Sequence, residues 1–423
     1  MKKVFRGTIV YFTGDPSIDE THTKIYEDGI LVVEDGLIKE AGDFTTSPYK
    51  NEDYTDYSGK IICPGFIDTH LHYPQTGMIA SYGEQLLEWL QKYAFPEEKK
   101  FEDKGYSDKI SAFCLNELLK NGTTTALVMP TVHKSSVDSF FEEALKRNMR
   151  VISGKVMMDR NAPSYLLDTE KSSYDDSKEL IKKWHKKERL LYAVTPRFAP
   201  TSTDKQLEKA SELLDEFDGL YMHSHVAENR DEVKWVKELF PKDKSYQSVY
   251  DRFGLMRERS IFAHAIYLSD DDYKMMNEKG SSISFCPTSN LFIGSGLFDL
   301  NKYKKFDFRL GIGTDVGGGT SFSILKTLAE AYKVSQLNKY SLSPLQSFYF
   351  ATLGGAKSLY LDDIIGSFES GKEADFIVLD PNATDLMKMR AENAESIIDI
   401  LFILMILGDE RNVNSTYLMG QKV

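Results

Sequence analysis

From Cys63 to about Ser358 the chain alternates short apolar runs with longer amphipathic or charged stretches. Eight of the apolar runs read as strands: Ile61–His70, Thr123–Pro130, Val151–Met158, Leu190–Thr195, Leu220–His225, Ser260–His264, Ser282–Phe285 and Phe308–Gly313. Between them, stretches such as Ser107–Lys120, Ser136–Arg147, Lys205–Glu216 and Asp231–Leu239 read as helices. Eight strand-then-helix units in succession predict an α/β fold of the (β/α)8 type, a TIM-like barrel.

The flanks follow another pattern. Residues before the barrel read as short strands with turns, and Asp35-Gly36 between two apolar runs is a strong hairpin signal. After the barrel, GSFESGKEADFIVLD holds a strand at Asp375–Leu379, Ala394–Leu407 has helical spacing, and NSTYLMGQKV closes as strand and turn. The expected division is a composite β-sandwich domain from 1–62 and 359–423, built from both chain ends, beside a barrel over 63–358.

Composition narrows the function classes. The 423 residues are 41% hydrophobic and 27% charged, an ordinary globular balance, with a formal net charge of -12. That balance opposes nucleic acid or an anionic membrane as partner, since both call for a basic face. Arg6 and Gly7 interrupt the apolar run that a secretory leader needs, and the most apolar run, Ile400 to Leu407, is far short of the roughly 20 residues that span a bilayer. Cys63, Cys114 and Cys286 have no CxxC spacing and fit free thiols in a reducing cytoplasm.

In a barrel of this kind the chemistry sits at the C-terminal ends of the strands. The first strand ends in His70-Leu71-His72, and residues i and i+2 of a strand point to one side. Asp68, one pleat earlier, adds a carboxylate to a pattern that suits a transition metal. The fourth strand ends in Thr195-Pro196-Arg197-Phe198, the fifth in His223-Ser224-His225 followed by Glu228, the sixth in His264, and the eighth in Gly313-Thr314-Asp315. Five of the eight histidines fall at three of these ends, where chance would scatter them. Either His223 or His225 can serve as the ligand from the fifth strand; His225 is nearer the active end. Such a nitrogen and oxygen ligand set suits zinc with a place left for water, and iron(II) accepts it too. Glu228 has two readings, a proton carrier beside the metal or a cap on a helix starting near Asn229. Lys155 reads as structural, and Gly317-Gly318-Gly319 as a close-packed turn, since it lacks the GxxxxGK[ST] phosphate-loop pattern. His22, His133 and His185 have no partners at strand ends, although His133 follows the second strand and is a candidate for the pocket rim.

The stretches PGFIDTHLHYPQ, LLEWLQKYAFPEE, TPRFAP, SHVAENRDEV, FAHAIYL, CPTSNLFIGSG and IGTDVGGGTSFS, in this order, strongly resemble the guanine deaminases of the amidohydrolase superfamily. GSFESGKEADFIVLD matches the tail of that family's composite β domain, so the resemblance covers nearly the whole chain. It implies hydrolysis of guanine to xanthine and ammonia, in a cytoplasmic homodimer. It implies one Zn²⁺ per chain, with Fe²⁺ the alternative, held by His70, His72, His225 and Asp315. It also implies catalytic roles for Glu228 as proton shuttle, for His264 against the attacking water or the intermediate, and for Asp315. Substrate contacts are implied for His72, Gln75, Arg197, Phe198, Glu228 and Asp315. Two-metal members resemble one another in a bridging lysine at the end of the fourth strand; Thr195-Pro196-Arg197 stands here, so one metal is expected. The unrelated deaminase fold with H-x-E and P-C-x-x-C is excluded by the absence of PCxxC. The rival readings are a deaminase of another purine or a pterin, a triazine chlorohydrolase, and a non-enzymatic barrel that has lost its ligands; here every ligand position is filled.

Overall fold

Strands β1 (Lys2–Phe12), β2 (Thr23–Glu34) and β3 (Leu37–Asp43) form an antiparallel meander. Asp35 and Gly36 join β2 to β3 with φ of 53° and 84°, the left-handed pair that a tight type I′ hairpin needs. β4 (Thr55–Pro64) then pairs parallel with β1.

At Gly65 the chain passes from one sheet to another. A Cβ there would stand 2.1 Å from Thr124 Oγ1, so only glycine lets the backbone make the passage. The run Ile61–His70 is therefore two strands and not one: Ile61–Pro64 belong to β4, and β5 (Phe66–Leu71) opens the barrel. The computed structural model describes residues 1–423, and its barrel continues with β6 (Thr123–Val128), β7 (Arg150–Ser153), β8 (Val156–Met157), β9 (Leu190–Pro196), β10 (Tyr221–Val226), β11 (Ser260–His264), β12 (Ser282–Phe285) and β13 (Arg309–Ile312). Successive strands pair parallel, with β9 taking both β7 and β8 as partners. The run Val151–Met158 is also broken. Gly154 lies so close to β9 that a Cβ would meet Ala193 O at 1.8 Å, and the strand restarts only at Val156. Lys155, buried in this break, pairs with Asp168 and reaches Val156 O at 3.3 Å, a structural role.

The last barrel strand is tied back to the first. Asp315 N donates to His70 O at 2.8 Å and His72 N to Val316 O at 3.3 Å. The Asp68 carboxylate accepts from Thr314 N at 3.0 Å and from the Thr314 hydroxyl. Asp68 thus closes the barrel and is absent from the ligand cluster where its position in the strand had suggested a place. Its carboxyl is buried and pushed up to about 7 by desolvation, which a second nearby carboxylate, Asp315, reinforces.

Helices cover the outside of the barrel. Asp204–Glu216 buries Leu207, Ala210 and Leu213 on one face and is capped by the Thr203 side chain on Gln206 N. After the barrel, β14 (Phe376–Leu379) enters between β4 and β15 (Val413–Leu418), antiparallel to both, and β16 (Gln421–Lys422) ends the chain's pairing. The outer sheet is continuous in the order β16-β15-β14-β4-β1-β2-β3. The helix expected from Ala394 begins at Ile397, because Ser396 and Asp399 form a capping box there, and it ends at Leu407. Its Leu401, Leu404 and Met405 join the main core, which explains so apolar a helix. No helix is long and apolar enough to cross a membrane. Cys63, Cys114 and Cys286 are free and buried.

Candidate active site

The C-terminal ends of β5, β9, β10, β11 and β13 converge on one cavity. Two residues that line it, and one beside Glu228, hold backbone conformations that non-glycine residues avoid: φ is 72° at His264, 49° at Asp315 and 48° at Ala227. Such strain persists where surrounding structure over-determines it, and it clusters at functional sites.

His70, His72 and His225 bring ring nitrogens within 4.8 Å of one another, and so do His70 and His264 with an oxygen of Asp315. His72 Nε2 lies 3.0 Å from His225 Nε2. His70 Nε2 lies 3.2 Å from Asp315 Oδ1, and His72 Nε2 lies 3.6 Å from the same oxygen. Burial drives the pKa of all three imidazoles well below the ordinary histidine value, and neighbouring histidines and Arg197 add to the effect. Neutral rings offer lone pairs. His70 Nε2 is buried with no hydrogen-bond partner, an arrangement that costs free energy unless something else satisfies the atom. Imidazole nitrogens converging on a carboxylate, one of them orphaned, are the donor set of a divalent cation.

The tertiary structure separates the two histidines of β10. His225 faces the cluster, and its Nδ1 lies 2.7 Å from Arg197 O. His223 stands behind His70, its Nε2 2.7 Å from His70 Nδ1. Such a contact on the far nitrogen fixes tautomer and ring orientation.

Glu228 and His264 form a second group on the cavity floor. His264 Nε2 is 3.3 Å from Glu228 Oε2 and 3.8 Å from Asp315 Oδ2, while His264 Nδ1 is held by Asn290 Oδ1 at 2.8 Å. Ser295 Oγ donates to Glu228 Oε1 at 2.9 Å. Desolvation, aided by the Asp315 charge, pushes the Glu228 carboxyl up to about 8. The helix that follows, Arg230–Leu239, is capped by Asn229 and Glu232. Glu232 Oε2 accepts from the Glu228 and Asn229 N–H groups, so Glu228 is free of capping duty.

Above the floor, Gln75, Arg197 and Phe198 line the cavity, as does an apolar wall of Leu86, Trp89, Leu90 and Ile293. The sequence did not mark the wall, although all four of its members lie in the LLEWL and CPTSNLFIGSG stretches; apolar residues carry no chemical mark in a sequence. Glu98 was also missed. Fully buried, it accepts from Arg197 Nη1 at 2.9 and 2.7 Å and from Gln75 Nε2 at 2.9 Å. Ser289, Asn290 and Ser295 enter from the CPTSNLFIGSG stretch. The triple glycine is a close-packed turn: a Cβ on Gly317 would collide with Gln75 Oε1 at 2.1 Å, and one on Gly319 with Thr314 O at 1.8 Å. His133 precedes the helix Lys134–Lys146 and is not among the cavity residues.

A parallel barrel with histidines at the ends of its first, fifth and sixth strands and an aspartate after its eighth defines a class of metal-dependent hydrolases. Residues 61–423 match the family model described as the amidohydrolase family, and the chain belongs to that family. It is 50% identical to the guanine deaminase of Escherichia coli (strain K12), over 100% of this chain and 97% of that protein. A solved structure of E. coli guanine deaminase superposes with a TM-score of 0.97 over 100% of this chain and 99% of that one. Guanine deaminase from C. acetobutylicum, solved with guanine bound in its active site, is 31% identical with a TM-score of 0.92, each chain covered over 100%.

Proposed function

We propose that this protein hydrolyses guanine to xanthine and ammonia. The observation that carries the reading is one cavity with a histidine and carboxylate cluster and the Glu228–His264 pair on its floor, and with Arg197 and Gln75 on its wall. The full-length similarity to guanine deaminases supports it.

His70, His72, His225 and Asp315 would hold one divalent cation per chain, zinc in our reading, with Fe²⁺ accepted by the same donors. When bound, such a cation lowers the pKa of water to about 7 and polarises the reacting group. The remaining work falls to the protein. Guanine enters with its six-membered ring between Phe198 and the Leu86–Trp89 wall, and Arg197 donates to the ring carbonyl. Water adds to C2, and Glu228 takes its proton and passes it to ring N3. C2 then carries both hydroxyl and amine. His264, held by Asn290, contacts the new hydroxyl. Glu228 then takes the hydroxyl proton and delivers it to the amine, the C2–N bond breaks, ammonia leaves and C2 becomes a carbonyl. Burial raises the Glu228 carboxyl above the ordinary carboxylate range, which favours its taking up the proton it relays.

The same reading takes the protein as a cytoplasmic homodimer, and divides it into a composite β unit of 1–62 and 359–423 and a barrel of 63–358, with Cys63 and Pro64 still paired in the outer sheet and the crossing at Gly65. Three buried free thiols support a reducing compartment, and size-exclusion with light scattering tests the dimer. The purified protein should release ammonia from guanine in preference to adenine, cytosine, 8-oxoguanine and isoxanthopterin. No release from guanine, or faster release from another member of that panel, overturns the assignment.

A further inference from the structure

Glu98 does not line the cavity, yet it touches two residues that do. It lies in the short helix Phe95–Lys99, fully buried, 99 positions from Arg197 in sequence. Both of its oxygens accept from the same nitrogen, Arg197 Nη1, and Oε1 also accepts from Gln75 Nε2. Arg197 Nε and Nη2 make no hydrogen bond within the protein, and Gln75 Oε1 accepts none.

A carboxylate only accepts. Gln75 must therefore present its NH₂ to Glu98, and its carbonyl oxygen is turned the other way, against Gly317, where a Cβ would collide with it at 2.1 Å. Arg197 has one nitrogen engaged and its others free. The two cavity residues thus become a fixed donor beside a fixed acceptor. Without Glu98 the amide could turn over, since its two ends have nearly the same shape.

We infer that Glu98 is a positioning residue that sets this donor–acceptor order, and with it the choice between oxo and amino purines. A ring carbonyl beside a ring N–H, as in guanine at C6 and N1, complements the order. An amino group beside an unprotonated ring nitrogen, as in 2,6-diaminopurine, presents the reverse. The inference rests on the proposed reading of guanine as substrate, and 2,6-diaminopurine keeps the 2-amino leaving group while reversing the edge.

The experiment measures kcat/KM for guanine and for 2,6-diaminopurine in the wild type, Glu98→Gln and Glu98→Asp, together with metal content and thermal midpoint. Loss of an ionic hydrogen bond to each reader should lower kcat/KM for guanine by about ten- to a hundredfold in Glu98→Gln, mainly through KM, with metal content unchanged. The 2,6-diaminopurine value should fall by much less or rise, so the selectivity ratio narrows. Glu98→Asp keeps the charge and should fall between, which serves if the glutamine variant does not fold. In an Arg197→Ala, Gln75→Ala background, Glu98→Gln should add little, because its effect passes through those two side chains. Equal losses on both purines, or guanine kinetics unchanged in the folded variants, overturn the role of Glu98. A wild type inactive on guanine overturns the functional reading instead.

Discussion

Glu228 is placed to carry a proton, and its amide isostere separates that role from structure. Glu228→Gln keeps the size and can still receive the Ser295 hydroxyl contact, but it cannot relay a proton. General acid–base catalysis contributes typically ~10²–10⁴-fold, so kcat should fall by at least that order while KM moves little. The thermal midpoint should hold or rise, since Asn229 and Glu232 cap the helix and a buried carboxyl is removed. A variant that melts early yet turns over guanine normally would retire the assignment. Arg197→Ala tests the wall of the cavity. It should cost about ten- to a hundredfold in kcat/KM for guanine with metal content intact, because one charge-assisted hydrogen bond is lost. Unchanged guanine kinetics would remove Arg197 from substrate recognition. Its buried partner Glu98 then keeps only the Gln75 amide contact and has no countercharge, so some loss of stability should accompany the kinetic one.

At the scale of elements, β10 shows how one strand serves two layers of a site. His225 faces His72 across 3.0 Å, while His223 braces His70 from behind at 2.7 Å. Changes at such outer partners typically cost about 10–100-fold in metal affinity. His223→Leu should therefore weaken cation binding by that order in a chelator competition, and His223→Gln, which keeps a polar partner, should recover part of it. Affinity unchanged in His223→Leu would show that His70 holds its orientation without this contact. β5 and β13 are joined less by a regular ladder than by Asp68 on Thr314 and by the backbone contacts of His70 and His72. The seam of the barrel therefore runs through the cluster itself.

For the molecule as a whole, that placement links cation binding to stability. The ligand-bearing ends of β5, β10 and β13 meet only in the folded barrel, so a cation bound there favours the folded state by mass action, by about 2.7 kcal/mol at one hundred times its Kd. Chelation should lower the thermal midpoint, and re-addition of Zn²⁺ should restore it. Elemental analysis should find one tightly bound metal per chain. Two metals, or a midpoint indifferent to chelation, would contradict the single cluster that the absent bridging lysine led us to expect.

Much of this was legible in local pattern. Strand-then-helix rhythm announces a parallel barrel because each element must bury one face, and His70, His72, His225, His264 and Asp315 could be found because strand ends are where a barrel exposes polar groups to one mouth. The Asp35-Gly36 hairpin was equally local, written in two residues that tolerate positive φ. What only the tertiary structure decided is where side chains at those positions point and whom they meet. Spacing put His223 and His225 on one face of a strand; pairing with neighbours from distant sequence chose which faces the cluster. Asp68 stood one pleat from His70, yet register across the seam gave it to Thr314. Gly65 looked like the interior of one strand until a clash with Thr124 made it the passage between two sheets. Glu98 meets Arg197 only because the chain brings the short helix Phe95–Lys99 against the end of β9, and no periodicity links residues 99 positions apart. Local preferences act within a few bonds, whereas contacts such as these exist only after the chain has closed.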